Sequence, residues 1–151
     1  MNLSPQDLDS TIGLVKEKFK GCKTPHEMFE VILALGEELP SYPEEKKTID
    51  YLVKGCQSQM FLHATQSDGH FFFTVFSDAL ISKGLAALLY LVYQGKPLEV
   101  IIKSPPHFLK EWGLLSSLSP SRSKGVMSLY LKMQQEAIKL LTTYHAQSGQ
   151  L

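Results

Sequence analysis

Cysteine is scarce in this chain: two residues in 151, Cys22 and Cys56, 34 positions apart. So few thiols fit a reducing compartment better than a disulfide framework. They also exclude a zinc or iron–sulfur site held by one chain's thiolates alone. Arginine is scarcer still, with a single Arg122 against fourteen lysines. Neither sign of charge is in excess, since fifteen basic residues face fifteen acidic ones, and a polyanion binder would normally be basic; no nucleic-acid partner is expected. No apolar run is long enough to span a bilayer; the longest strongly apolar stretch, residues 84–95, carries no charge but is too short. The first seven residues lack the basic start and apolar stretch of a signal peptide. A cytoplasmic chain with no membrane association is therefore expected. A Gly-rich phosphate loop, an H-E-x-x-H pattern and a serine elbow are all missing, and the five histidines have no metal-ligand spacing. No cofactor or metal is expected, and an ordinary hydrolase is poorly supported.

What is present is a globular composition, 44% apolar and 20% charged. A domain of this length buries roughly 70% of its unfolded surface and folds without a staple. With no repeat or linker, residues 1–151 read as one domain. Ser4-Pro5-Gln6-Asp7 is a helix start, followed at helical spacing by Leu8, Ile12, Val15 and Phe19, with Gly21 as a stop. Thr24-Pro25-His26-Glu27 repeats the signal before Met28, Phe29, Ile32 and Leu33, with Gly36 near the end.

The period then changes. Residues 48–54, 58–65 and 71–76 read as three antiparallel strands, the last two joined by a turn at Ser67-Asp68-Gly69. Ser77 or Asp78 would cap a largely buried helix running to about Gln94. Short helices are expected after Pro97 and after Pro105-Pro106. Ser119-Pro120-Ser121 caps a long final helix with the stripe Val126, Leu129, Met133, Ala137, Leu140 and Tyr144. Helices, strands, then helices indicate an α+β fold with a small three-stranded antiparallel sheet flanked by helices.

Cys56 is the residue to which chemistry points first. It follows Gly55, which tolerates a positive backbone angle, and precedes Gln57 and Ser58, neutral hydrogen-bond donors. A loop there can hold a thiol out from the sheet; by position alone it reads equally as a small buried hydrophobe at a strand end. Cys22, at a helix end, reads as packing. A dyad of Cys56 with His63 or His70 stays open. Arg122 falls in the first turn of a helix, where the macrodipole disfavours a cation, so its place needs another reason: a rigid fork for a carboxylate or carbonyl. Gly84, inside a buried helix, costs about 1 kcal/mol against alanine and implies a close helix–sheet approach.

Several stretches, in order, resemble the SufE family of sulfur acceptors. They are Leu35-Gly36 with Leu39-Pro40, Gly55-Cys56-Gln57-Ser58-Gln59, Ser77-Asp78-Ala79 with Lys83-Gly84, and residues 118–125, Leu-Ser-Pro-Ser-Arg-Ser-Lys-Gly. The resemblance implies the fold shared with IscU-type scaffolds and makes Cys56 the acceptor of sulfur as a persulfide. It also implies supporting or partner-contact roles for Gly55, Gln57, Ser58, Asp78 and Arg122. The implied partners are a SufS-like cysteine desulfurase, which the chain would stimulate, and a SufBCD-like iron–sulfur scaffold complex downstream, with the chain as monomer or homodimer. A CsdE-like relay toward tRNA or cofactor thiolation, a cluster scaffold, and a binding module in which Cys56 is structural are the alternatives. Where the family usually has a Val-Trp-like pair after the Gly-Cys-Gln-Ser run, this chain has Met60-Phe61.

Overall fold

A computed structural model describes residues 5–148 of the chain. Helix α1 (Pro5–Lys16) tightens into a 3₁₀ turn and stops at Gly21, whose φ is +89°; the expected cap Ser4 lies outside the described residues. Helix α2 (Pro25–Glu37) starts where its signal predicts. Pro25 occupies the first turn, and the Thr24 hydroxyl accepts the Glu27 N–H at 3.2 Å. Strands β1 (Met60–Ser67) and β2 (His70–Ser77) pair antiparallel, from Met60 opposite Ser77 to Ser67 opposite His70. Asp68 and Gly69, with φ of +50° and +79°, form the tight turn between them. Helices α3 (Leu80–Tyr93), α4 (Leu98–Lys103), α5 (Phe108–Glu111) and α6 (Pro120–Ser148) follow.

The fold is α+β, but the sheet has two strands, not three. The expected strand at residues 48–54 fails because Ile49–Tyr51 coils into a 3₁₀ turn. Only Leu52 then bridges to Phe61, with the Val53 N–H donating to the Met60 carbonyl at 2.8 Å, before Gly55 turns the chain away. On the other edge, the Gln94 amide stands in for a strand: its Oε1 accepts the Phe73 N–H at 2.9 Å and its Nε2 donates to the Phe73 carbonyl at 3.2 Å.

Period-two patterning decides which face of the sheet is covered. Phe71, Phe73 and Val75 are buried while Phe72 is exposed. Helix α3 packs on β2, and α6 lies on β1 with Val126, Leu129, Met133 and Ala137 buried as its stripe predicts. Tyr42 covers part of the opposite face, its ring 6.2 Å from that of Phe61 and 6.3 Å from that of Phe76.

Gly84 does mark a close approach, but the neighbour is a helix and not the sheet. A Cβ there would collide with the Ile32 carbonyl oxygen, and one on Gly36 would stand 2.9 Å from the Gly84 nitrogen. Helices α2 and α3 thus cross backbone to backbone. Nor does Ser77 or Asp78 occupy the cap of α3. Ala79 takes that position without a side-chain cap, and the Ser77 hydroxyl accepts its N–H at 3.3 Å. Among the described residues no helix is long and apolar enough to cross a membrane.

Candidate functional site

The loop from Val53 to Gln59 leaves the sheet edge and returns to it. Gly55 sits at its bend with φ of +94°, a conformation that favours glycine, and packs so closely on α6 that a Cβ would stand 2.6 Å from the Ser128 hydroxyl oxygen. At the exit, Asp78 makes a reciprocal pair with Gln59. Its Oδ1 accepts the Gln59 N–H at 2.9 Å, and its own N–H donates to the Gln59 carbonyl at 3.2 Å. Asp78 is therefore turned toward the loop, which explains why it does not cap α3.

Between these two anchors the Cys56 side chain folds inward onto α6, half-buried. Its Sγ donates to the Gly125 carbonyl at 3.5 Å and lies 3.9 Å from Met60 Sδ. Burial pushes the thiol pKa up, so the resting group is the neutral thiol and not the nucleophilic thiolate. Beside it opens a cavity of about 250 Å³, lined by Cys56, Gln57, Ser58, Ser82, Ser121 and Arg122. The Arg122 backbone N–H is capped by Ser119 Oγ at 3.3 Å. Its exposed guanidinium has no carboxylate partner among the described residues, nor have the ammonium groups of Lys54, in the loop, and Lys124, on α6.

Cys56, Gln57, Ser58 and Arg122 thus meet at one cavity, whereas Gly55 and Asp78 act on the loop from outside it. Neither histidine joins Cys56: His63 packs edge-on to Tyr51 at 5.5 Å, and His70 Nδ1 pairs with the Asp68 carbonyl. Cys22 lies elsewhere, in a pocket with Phe19, Met28 and Trp112. Sequence reasoning missed Met60 and Ser82. Met60 enters that reasoning only within the expected strand at 58–65 and in the Met60-Phe61 pair that departs from the family pattern, and no motif marks Ser82. Among the described residues, no three His, Cys, Asp or Glu side chains stand where they could hold a metal ion together.

The SufE family model, described as an Fe-S metabolism associated domain, matches residues 14–137. The chain belongs to the SufE family. Every residue of the loop and its cavity falls inside the matched SufE stretch. An uncharacterised SufE-like protein of Synechocystis sp. is 34% identical over 131 residues, 87% of this chain and 82% of that protein. The SufE-like protein 1, chloroplastic/mitochondrial, of Arabidopsis thaliana is 30% identical over 136 residues; they span 89% of this chain but 37% of that longer protein. The solution structure of a hypothetical protein from Thermus thermophilus superposes with a TM-score of 0.72 at 25% identity, covering 91% of this chain and 98% of that one.

Proposed function

We propose that Cys56 accepts sulfur from a SufS-like cysteine desulfurase, stimulates that enzyme by clearing its persulfide, and delivers the sulfur to a SufBCD-like iron–sulfur scaffold complex. Membership of the SufE family supports the setting. The observation that carries the reading is the placement of the thiol, folded onto α6 in a loop with a glycine at its bend and the Asp78–Gln59 pair at its exit. Such a loop can shelter a reactive group and then present it.

In the transfer step Cys56 gives up its proton to solvent as the loop leaves the Gly125 carbonyl. Water then replaces the low-dielectric contact, and Arg122, Lys54 and Lys124 favour the anion. The Cys56 thiolate attacks the terminal sulfur of the desulfurase persulfide. A new S–S bond forms, the donor's S–S bond breaks, and the donor cysteine leaves as thiolate, so no outside oxidant is needed. Folded back, Cys56–SSH meets hydrogen-bonding groups from Gln57, Ser58, Ser82 and Ser121 in a cavity with room for one more sulfur atom. All 151 residues then work as one unit in a reducing compartment, the cytoplasm.

Cognate desulfurase, cysteine and this chain should yield a Cys56 peptide heavier by one sulfur atom. Cys56→Ser should abolish both the adduct and the stimulation, whereas Cys22→Ser should leave both intact. An unmodified Cys56 peptide after turnover would overturn the assignment.

A further inference from the structure

The Cys56 cavity does not end at the loop. Ser121 and Gly125, which line it, continue along α6 as Ser128, Lys132 and Gln135 at intervals of four, three, four and three residues, so all five share one helical face. The second half of that face floors a groove of about 410 Å³, walled on one side by Ile49, Asp50, Leu52 and Lys54 and on the other by Leu131. Ser128 belongs to this floor and is also the residue on which Gly55 packs, so groove and loop share a wall. The track runs about 20 Å at 1.5 Å per residue.

Its surface combines two features. Ile49 is 71% exposed and Leu131 51% exposed, two large apolar side chains that line the same groove from different segments of the chain. Around them and the thiol stand Lys54, Lys124 and Arg122, none with a carboxylate partner among the described residues; Asp50 offsets one of the three charges, and Lys132 is already paired with Glu136 at 3.5 Å. We propose that this groove is the docking site of the cysteine desulfurase. The partner would insert an apolar side chain between Ile49 and Leu131 and set carboxylates against Lys54 and Lys124. The inference rests on the sulfur-acceptor reading and adds the surface that serves it. A side chain seated against Ser128 also presses where Gly55 rests, so docking is coupled to release of the Cys56 loop.

Leu131→Asp and Ile49→Asp test the groove from opposite walls, and both positions are exposed enough to spare the core. Leu14→Asp, 71% exposed on α1 and outside the groove, is the control. Each full-length variant would be offered sulfur in two ways, from the cognate desulfurase with cysteine and from inorganic polysulfide, with Cys56 loading read by mass spectrometry. The groove variants should need at least tenfold more protein for half-maximal desulfurase stimulation, yet load from polysulfide at the native rate and melt like the native chain; Leu14→Asp should match the native chain throughout. Native-like stimulation by both groove variants would overturn the docking site while leaving the acceptor assignment standing. Failure of the native chain itself to load from the desulfurase would overturn the acceptor reading and the docking site with it.

Discussion

Glycine serves opposite purposes at two places in this molecule. At the α2–α3 crossing, Gly36 and Gly84 remove side chains so that two helix backbones touch, and the nearest atom in each case is a main-chain atom, of Gly84 or of Ile32, which cannot rotate away. At the Cys56 loop, Gly55 supplies a positive φ, and its nearest neighbour is the Ser128 hydroxyl, the mobile end of a side chain. One glycine pair locks the scaffold; the other glycine sits where the chain carrying the thiol bends. The lesson is that what stands opposite the missing Cβ decides whether a glycine stiffens a fold or lets part of it move.

Alanine substitution should separate the two roles. Gly84→Ala gains about 1 kcal/mol in helix propensity but drives a methyl into a backbone oxygen, and overpacking of this kind costs about 3 kcal/mol or more. The net destabilisation should exceed ~2 kcal/mol and lower the melting temperature by at least ~5 °C. Gly55→Ala should cost about 1 kcal/mol through strain at φ +94°, because Ser128 can rotate away. Equal melting temperatures for the two variants would break the distinction.

A smaller effect is expected at the latch. Asp78→Ala removes the acceptor for the Gln59 N–H at an exposed site, worth about 1 kcal/mol. If the latch holds the loop shut, that energy moves the opening equilibrium about fivefold. Alkylation of Cys56 by iodoacetamide should then quicken about fivefold, with Cys22 unchanged as an internal reference. An unchanged Cys56 rate would mean that the α6 contact alone closes the loop.

Much of this was legible from the chain, and the errors have physical causes. The helix starts at Thr24 and Ser119 follow from caps whose hydrogen bonds form locally, and the structure has both. The stripe on α6 follows from periodicity, and Val126 through Ala137 are buried as it requires. Gly84 reveals that something comes close, but an absent side chain cannot say whether the neighbour is a strand or a helix. The third strand fails because Thr48, Ile49 and Tyr51 have strand-like side chains in a segment that pairs only at Leu52. Asp78 resembles a helix cap because it stands at a helix start, while the group it holds, Gln59, is nineteen residues away. The cavity brings Cys56 and Arg122 together across the fold, and no local pattern in the chain encodes that meeting.

The weakest expected effect tests the same shelter through protons. Burial raises the Cys56 pKa in the folded chain above its value in the unfolded one, about 8.5. The folded state therefore binds the thiol proton more tightly. The stability this contributes is complete below the unfolded pKa and is lost as pH rises through the folded one. Native protein should lose stability as pH rises from the unfolded thiol's pKa through the folded one, and Cys56→Ser should remove that part of the slope. Cys22→Ser, in a pocket remote from the loop, should leave the slope in place. Denaturant midpoints read across this range check the difference between variants, which cancels every contribution the variants share. If Cys56→Ser follows the native slope throughout, the thiol is already open to water at rest. The Gly125 contact would then no longer account for its protection, and the comparison between a locked scaffold and a gated loop would lose its second half.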